Sequence, residues 1–336
     1  MDAFSEVLST LKLQGALFFN AEFSAPWGFR SPRSEFLAPH LVPGAERLVI
    51  YHFVLEGSAS IRTESGETVA LSPGDLVVLP HGDSHHLTCG SPREVMDADA
   101  VLKLILCRDP GPRSAGGGGA VTRFVCGYMA CDPRLSKPIL GGLPAVIKVN
   151  IRTDASGQWL ENAIRHLVEE AGSPSPGSGA MLAKLSEALF VDTLRRYIAG
   201  LPAEQTGWLA GARDPVVGKS LAILHGRPEH PWTIAELARE VGLSRSTLVE
   251  RFTRYLSEPP MTYLARWRLQ LAARALGSTS QSVAQIAAQV GYESEAAFNR
   301  AFKREFGLPP ARFRKDLKGD KGKTRPPAAA SVSAAF

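Results

Sequence analysis

Histidine and cysteine side chains provide the candidate chemistry in the first half of this sequence. Four histidines lie close together along the chain: His52, His81, His85 and His86. Imidazole nitrogens can ligate a metal ion or line a polar pocket, whereas a cysteine thiolate can react with an oxidant. Four cysteines in 336 residues do not make a disulfide scaffold, so we expect free thiols in a reducing cytosol.

Short strands must position these side chains. Up to about residue 149 the sequence alternates short apolar runs with glycine and proline turns, which is typical of an antiparallel sandwich or barrel. The predicted strands are Gly15–Phe19, Leu48–Leu55, Ala59–Thr63, Thr68–Leu71, Asp75–Leu79, His86–Thr88, Val101–Cys107, Thr122–Tyr128 and Ala145–Val149. A helix is predicted over Met1–Lys12, and a mobile Pro/Gly loop over residues 108–119.

The second half carries one helical pattern twice. In the first copy, a short amphipathic helix over Ile234–Val241 precedes a helix over Arg245–Leu256; in the second, Val283–Val290 precedes Ser294–Phe306. Each first helix ends at a glycine suited to a left-handed C-cap, and each second helix follows a serine suited to an N-cap. The pattern predicts two helix-turn-helix units whose second helices can enter a DNA major groove. A helix over Met261–Leu276 joins the two units.

This region resembles the signature of the AraC/XylS family of bacterial transcription regulators, from about Asp214 to Leu317. The resemblance is carried by Pro260, Tyr263, Arg268, Ala272, Leu276, Ile286, Ala287, Gly291, Tyr292, Phe298, Arg300, Phe302, Lys303, Gly307, Pro310, Phe313 and Arg314. Ser257 departs from the family pattern, which usually has a glycine after the first recognition helix. The resemblance implies a transcriptional activator that binds double-stranded DNA, acts with RNA polymerase and is not an enzyme.

Family correspondence also implies which side chains contact DNA. The base-facing candidates are Arg245, Ser246, Thr247, Val249, Glu250, Glu295, Ala296, Ala297 and Arg300. Arg300 is the strongest candidate, because a guanidinium can donate two hydrogen bonds to a guanine edge. Glu250 and Glu295 could accept from cytosine, or cap and salt-bridge within their helices. The expected phosphate contacts, with a solvated helix surface as the alternative, are Arg251, Arg254, Lys303 and Arg304.

Gly74–His85 resembles the second cupin motif: a glycine, five residues, Pro-x-Gly, two residues and a histidine. In metal-dependent cupins this histidine is a ligand, so His85 is the matching position. The partner motif should supply two more histidines and a glutamate, but the corresponding places in residues 44–50 hold no histidine. We therefore expect no cofactor and no metal, with His85 as a weak metal candidate, and we expect His52 and His85 to line an effector pocket.

Four segments of the first half resemble the cupin-type sensor domain of one AraC subgroup: residues 26–30, 51–57, 124–128 and 138–144. Some members of that subgroup respond to oxidants through a cysteine, and Cys126 stands at such a position. The place of the early partner cysteine is held by Asn20 and Ala21. Cys126 is therefore a redox candidate, with Cys131 or Cys89 as its candidate partner; the alternative is a buried apolar thiol.

Two amphipathic helices are predicted over Gln158–Glu170 and Ala180–Ala199, forming an antiparallel hairpin. The packing residues are Trp159, Ile164, Leu167, Val168, Leu182, Leu185, Leu189, Phe190, Leu194 and Ile198. In this family such helices commonly dimerise the sensor domain, and packing on the barrel is the alternative. The expected segments are a sensor domain (1–150), a helical hairpin (151–200), a linker (201–213), a DNA-binding domain (214–317) and a disordered tail (318–336).

Charge is divided unevenly along the chain. Residues 214–317 carry a net charge of +5, residues 318–336 carry +3, and the remainder carries about −3. A basic end containing the tandem motif suggests a polyanionic partner, although a solvated surface is the alternative. No apolar run approaches the length of about 18 residues that a membrane span needs, and the N-terminus shows no secretion signal. A cytoplasmic location is therefore expected.

These features predict a two-domain fold, with an N-terminal all-β cupin-like barrel and helical hairpin followed by a C-terminal all-α tandem helix-turn-helix. The predicted function is sequence-specific DNA-binding regulation, controlled by an unknown small-molecule effector or oxidant acting on the cupin-like domain. A homodimer is one assembly consistent with these features. The competing prediction is a metal-dependent cupin enzyme fused to a DNA-binding module.

Overall fold

The protein divides into two compact units, Val7–Pro215 and Val216–Phe336, the latter grouped with Met1–Glu6. The computed structural model describes residues 4–5, 19–42, 45, 47–106, 113–130, 140, 142–170, 176–202 and 204–323. Most of the predicted helix Met1–Lys12 and of the predicted strand Gly15–Phe19 lies outside these residues. The division after Pro215 falls two residues beyond the expected end of the linker at 213.

The strands of the first unit form two sheets. They are β1 (Phe19–Ser24), β2 (Trp27–Ser31), β3 (Leu48–Glu56), β4 (Ala59–Thr63), β5 (Thr68–Leu71), β6 (Asp75–Leu79), β7 (His85–Cys89), β8 (Arg113–Gly116), β9 (Val121–Ala130) and β10 (Ile147–Asn150). One sheet has the order β10-β6-β3-β9-β1-β8 and the other has β2-β7-β4-β5. All pairings are antiparallel except that of β1 with β8. This β-rich unit confirms the predicted fold class.

The helices of the first unit flank these sheets. They are α1 (Ser34–Leu41), α2 (Ala98–Leu106), α3 (Ala155–Glu170), α4 (Ser178–Ala199) and α5 (Trp208–Arg213), with a 3₁₀ turn at Ile151–Thr153.

Two secondary-structure predictions for this unit were wrong. Val101–Cys107 was predicted as a strand, but Val101–Leu106 belongs to α2, and Asp97 Oδ1 accepts a hydrogen bond from the Ala100 amide near the start of that helix. A short apolar run does not distinguish helix from strand, and the Asp97 contact favours the helix. Residues 113–116, inside the predicted mobile loop, form β8 beside β1.

Strand β3 is buried on both of its faces. Leu48, Ile50 and Val54 point into the core between the two sheets. On the opposite face, the Tyr51 hydroxyl lies 2.9 Å from Ser186 Oγ of α4. A strand covered on both sides requires apolar residues at nearly every position, as the sequence of β3 shows. The polar exception on the inner face is His52.

Helices α3 and α4 contact each other, and α4 also packs on β9 and β10. Ile164 on α3 is fully buried, and four predicted packing residues on α4 are buried: Leu185, Leu189, Phe190 and Leu194. Trp159 was predicted to pack in this hairpin, which is wrong, because 62% of its surface is exposed. The side chains of Leu167, Val168 and Leu182 lie outside the described residues.

The second unit is entirely helical in its described residues. Its helices are α6 (Pro215–Gly226), α7 (Ile234–Val241), α8 (Arg245–Leu256), α9 (Pro260–Ser278), α10 (Val283–Gln289), α11 (Glu295–Phe306) and α12 (Pro310–Lys323). α9 spans roughly 28 Å between the two helix pairs. α12 continues to Lys323, inside the segment 318–336 for which the sequence predicts disorder; residues 324–336 lie outside the described residues.

Candidate DNA interface and effector pocket

The first helix-turn-helix consists of α7 and α8. α7 ends at Gly242, which adopts the left-handed conformation with φ 74°. Ser244 then caps α8, its Oγ accepting a hydrogen bond from the Thr247 amide at 3.2 Å. Leu237 and Ala238 on α7 and Leu248 and Phe252 on α8 are all buried. The polar caps fix the turn, and the buried apolar residues fix the angle between α7 and α8. The opposite face of α8 therefore remains at the surface.

The second helix-turn-helix, α10 and α11, repeats this construction. Ser282 and Gln285 form a reciprocal capping box at the start of α10. Gly291 in the turn has φ 84°. Ser294 Oγ accepts from the Ala297 amide at 3.1 Å and so caps α11. The apolar face of the pair is buried through Ile286, Ala287, Phe298 and Phe302.

The candidate DNA-contacting residues all lie on the outer surfaces of α8 and α11. Val249 and Ala297 are half-buried and the other base-facing candidates are exposed: Arg245, Ser246, Thr247, Glu250, Glu295, Ala296 and Arg300. The four candidate phosphate contacts are exposed as well: Arg251, Arg254, Lys303 and Arg304. Each helix thus presents one polar face beside its N-terminus, as a major-groove recognition helix does.

Arg268 on α9 ties the two helix-turn-helix units together. Its guanidinium donates to the backbone carbonyls of Pro228 at 2.6 Å, His230 at 2.7 Å and Gly291 at 3.2 Å. Pro228 and His230 precede α7, whereas Gly291 lies in the turn of the second unit. Burial lowers the pKa of Arg268, although it remains a cation at neutral pH. Sequence reasoning placed Arg268 in the family signature without this role.

In the first unit, a cavity of about 60 Å³ opens on the inner face of β3 and β9. It is lined by Phe29, Ser31, Leu37, Leu41, Ile50, His52, Val101, Cys126, Gly127 and Tyr128. Residues of α1 and α2 therefore contribute to the wall beside those of the sheets. Most lining side chains are apolar. Of the predicted site residues, His52 and Cys126 line this cavity.

A continuous hydrogen-bond chain connects the predicted sensor residues. Cys126 pairs with His52 across β9 and β3, and its Sγ lies 2.8 Å from His52 Nδ1. His52 Nε2 lies 2.8 Å from Nε2 of His85, which belongs to the opposite sheet. His85 Nδ1 lies 2.9 Å from the carbonyl oxygen of Asp83. The structure thus brings together His52 and His85, which the sequence predicts for the effector pocket, and Cys126, the redox candidate.

The direction of each hydrogen bond follows from the carbonyl at the end of the chain. A carbonyl only accepts, so His85 Nδ1 carries a proton and, in a neutral ring, His85 Nε2 accepts. His52 Nε2 must then donate, which leaves His52 Nδ1 as an acceptor. Cys126 therefore donates its S–H to His52. The four groups form one ordered relay, which we call the thiol–imidazole chain: Cys126, His52, His85 and the Asp83 carbonyl.

Burial keeps every member of the thiol–imidazole chain neutral. His52 is 4% exposed and His85 is fully buried. Burial lowers the pKa of His85 to about 4, and burial together with the neighbouring His85 lowers the pKa of His52 well below its usual value. Burial likewise raises the pKa of the Cys126 thiol. At neutral pH the cavity therefore contains a protonated thiol facing an unprotonated imidazole nitrogen.

The remaining candidates lie apart from this chain. His81 Nε2 bonds to the Leu143 carbonyl at 3.0 Å, and His86 is half-buried on β7. Cys89 is a free thiol at the other end of β7 from His85, paired in register with Trp27. Cys107 and Cys131 lie outside the described residues. Among the residues that the structure describes, no three histidine, cysteine or acidic side chains are grouped so as to hold a metal ion.

Sequence reasoning missed the apolar wall of the cavity. Phe29 and Ser31 lie on β2, Leu37 and Leu41 on α1, and Val101 on α2. Two of these three elements were not predicted and α2 was predicted as a strand. The segment of residues 26–30, which resembles the family's sensor domain, was the available signal, but only the pairing of β2 with β7 shows which side chains face inward.

Residues 2–199 match the family model described as Cupin, and residues 237–316 match the one described as Helix-turn-helix domain. A cupin domain followed by paired helix-turn-helix units defines this chain as a DNA-binding transcription regulator. No helix among the described residues is long and apolar enough to cross a membrane.

Relatives along the full chain specify the family. The chain is 33% identical over 319 residues to a putative AraC-like transcription regulator of Streptomyces lividans, covering 94% of this chain and 98% of the relative. It is 28% identical over 320 residues to the HTH-type transcriptional regulator AlkR of Acinetobacter baylyi, covering 94% and 99%. It is 27% identical over 321 residues to the RCS-specific HTH-type transcriptional activator RclR of Escherichia coli, covering 95% and 99%. The chain belongs to the AraC-like transcription regulators, which confirms the family resemblance.

Proposed function

We propose that this regulator reads two adjacent DNA segments with α8 and α11, and that a small molecule or oxidant acting in the cupin cavity controls this reading. The observation that carries the sensing part is the thiol–imidazole chain at the wall of an apolar cavity. A core needs no thiol hydrogen-bonded to a buried imidazole that is itself paired with a second one, and such polar groups are costly to bury. Their convergence on a cavity favours a binding or reactive site. The proposal gives the cupin domain no enzymatic activity.

On the DNA side, we propose that Arg245, Ser246, Thr247, Val249 and Glu250 face bases from α8, and that Glu295, Ala296, Ala297 and Arg300 do so from α11. Arg251, Arg254, Lys303 and Arg304 would bind phosphates. Exposure of these side chains on two similarly capped helices supports this assignment. Phosphate contacts set affinity and register, whereas base contacts set the sequence.

Contacts near His52 offer a route from the cavity to α3 and α4. Tyr51, beside His52 on β3, bonds to Ser186 of α4. The Leu55 carbonyl at the end of β3 accepts from Arg152 at 3.0 Å and from Arg165 of α3 at 3.3 Å. Both arginines also bond to the buried carboxylate of Glu161. We propose that movement of β3 reaches the DNA-binding domain through these helices, a coupling that proximity supports and mutation must measure.

Selection of DNA from a random pool by the full-length protein tests both parts. With the protein alone, we expect enrichment of two short blocks about one helical turn apart. With hydrogen peroxide added, a change in yield that Cys126→Ser abolishes and Cys89→Ser retains would support an oxidant signal at Cys126. Enrichment of a single block, or of none, would contradict reading by both helix pairs.

We further propose that the regulator forms a homodimer through the α3–α4 hairpin and acts with RNA polymerase as an activator. Trp159 supports the dimer, because a large apolar side chain is strongly exposed there. Sedimentation should show a dimer for the wild type and a monomer for Trp159→Glu. A monomeric wild type would contradict the dimer.

Transcription from the selected site in vitro, with and without the protein, tests the sign of regulation.

A further inference from the structure

The cavity beside Cys126 combines an apolar wall with one nucleophilic atom. Its walls are formed mainly by aliphatic and aromatic groups, among them Phe29, Leu37, Ile50 and Val101. A volume of about 60 Å³ holds roughly four to six water-sized groups, since one such group needs about 10 to 15 Å³ on this scale. An occupant must therefore be a small apolar molecule, or the small apolar end of a longer one.

The thiol–imidazole chain can take the thiol proton without releasing it to water. Cys126 donates S–H to His52 Nδ1, and His52 in turn donates to His85. When His52 accepts the thiol proton, its own Nε2 proton can move to His85, whose Nδ1–H already bonds to the Asp83 carbonyl. Because both rings are neutral at rest, the thiol proton moves only as the sulfur attacks, and the two rings then share the transient positive charge. This is the arrangement of a cysteine activated by an adjacent base.

We propose that this cavity captures small apolar α,β-unsaturated carbonyl compounds, for which crotonaldehyde is the probe, by covalent addition of the Cys126 sulfur. The proposal rests on the proposed function, in which the cavity is the sensing site, and it specifies the chemical class of the signal. A saturated aldehyde of equal size would enter the cavity without forming this bond.

The reaction balances without a further reactant. The Cys126 sulfur forms a bond to the β-carbon of the alkene, and the C=C π pair shifts to give an enolate. The thiol proton passes to His52 and returns to the α-carbon, where a C–H bond forms. The product is a thioether that retains its carbonyl group. Nothing is oxidised or reduced overall, and His52 ends in its starting protonation state.

The surroundings of Cys126 favour this chemistry over oxidation by peroxide. Hydrogen peroxide is polar and gains little from an apolar wall, whereas an enal buries its hydrocarbon end there. Peroxide would also leave a sulfenic acid, which commonly condenses with a second thiol. Of the described residues, the other cysteine is Cys89, at the opposite end of β7 from His85, about 13 Å along the strand.

Mass spectrometry of the full-length protein exposed to crotonaldehyde tests the proposal directly. We expect one adduct per chain, located at Cys126 by peptide mapping, in the wild type and in Cys89→Ser. Cys126→Ser should lose that adduct, and butanal should form none on the wild type. First modification at Cys89, Cys107 or Cys131 would overturn the proposal, as would oxidation of Cys126 by peroxide in a protein that crotonaldehyde leaves unmodified.

The role of His52 has its own test. His52→Gln keeps an oxygen that can accept the thiol proton in a hydrogen bond but removes the base, so we expect adduct formation at Cys126 to slow by about 100-fold. The melting temperature of His52→Gln establishes that this variant is folded. The matched control is His81→Gln, because His81 does not belong to the thiol–imidazole chain, and it should react at the wild-type rate. Equal rates for His52→Gln and the wild type would overturn proton transfer to His52.

DNA binding separates this inference from the proposed function. If crotonaldehyde modifies Cys126 and changes affinity for the selected DNA, the result supports both covalent capture at Cys126 and control of DNA binding by the cavity. If DNA selection succeeds but Cys126 resists crotonaldehyde, the covalent capture is wrong and the DNA-reading proposal stands. If Cys126 is modified and affinity is unchanged, the capture stands and control by the cavity is wrong.

Discussion

At the scale of single residues, two groups of side chains underlie the proposed function: the exposed residues of α8 and α11, and the buried thiol–imidazole chain. The sequence identifies His52, His85 and Cys126 one by one, through a motif and a family position. Their contact could not be predicted, because it depends on the register that pairs His52 with Cys126 and on the approach of the second sheet. The spacing of residues along the sequence shows neither the register of the strands nor the approach of the second sheet.

Arg300→Ala should reduce discrimination between the selected site and a mutated site by about 1 to 3 kcal/mol, since a bidentate guanidinium contact to guanine is lost. Lys303→Ala is the matched control on the same helix. It should weaken binding to all sequences about equally and reduce the salt dependence by about one charge. Fluorescence anisotropy with both duplexes at several salt concentrations measures both effects. Equal loss of specificity in the two variants would contradict the assignment.

The neutral histidines predict an acid-sensitive sensor domain. An unfolded histidine titrates near 6.5, whereas burial lowers the pKa of His85 to about 4. Between these values the unfolded chain binds more protons than the folded one, so stability falls as the pH falls from 6.5 towards 4. His85 alone accounts for about 3 kcal/mol by pH 4.

Urea unfolding at pH 7.5, 6 and 5 should therefore show a steeper loss of stability in the wild type than in His85→Gln, which cannot titrate. Carboxylates protonated over the same range affect both proteins alike and cancel in the comparison. Parallel pH dependences would show that His85 is not held neutral by burial.

At the scale of elements, helix ends were the features best predicted from the sequence. The glycines and serines of both turns indicated helix boundaries because capping is a local interaction. The strand pattern is also a local feature of each segment, and it located most strands of the two sheets. Helix α2 was missed because its apolar run fits either period, and α1, β2 and β8 were missed because contacts with distant strands stabilise them.

Ser257 ends α8 with φ 60°, a conformation that glycine adopts without steric strain. Ser257→Gly should raise the free energy of unfolding by about 0.5 to 1 kcal/mol. Gly307 ends α11 in the same conformation, and a β-carbon there would meet no atom within 4 Å. Gly307→Ala should therefore destabilise by about 1 kcal/mol through backbone strain alone. Thermal unfolding measures both, and a destabilised Ser257→Gly would contradict the strain.

Arg268→Ala should destabilise the DNA-binding domain by about 3 kcal/mol, because three carbonyls lose a charged donor. Arg268→Lys should recover only part of this, since an ammonium lacks the planar fork. Arg239→Ala, at an exposed position on α7, is the control and should change stability by no more than about 0.5 kcal/mol. Chemical denaturation measures the three variants. Equal stability of Arg268→Ala and Arg239→Ala would show that the bridge contributes nothing.

At the scale of the whole molecule, the sequence predicted two domains of different class and the family to which they belong. A dense signature over about a hundred residues made this possible, since paired helices, caps and charge all indicate one function. The cavity wall was beyond such reasoning, because it is assembled from strands and helices distant in sequence. The domain boundaries at 150, 200, 213 and 317, and the location of the protein in the cytoplasm, stay predictions.

In the proposed function, α8 and α11 read two DNA blocks whose separation is fixed by the length of α9. Insertion of five base pairs between the selected blocks turns one of them by about half a helical turn away from its recognition helix. We predict that the dissociation constant of the full-length protein rises by about 100-fold or more, as much as when the second block is scrambled. An unchanged dissociation constant after the insertion would contradict the claim, because it would mean that one helix-turn-helix alone recognises the site.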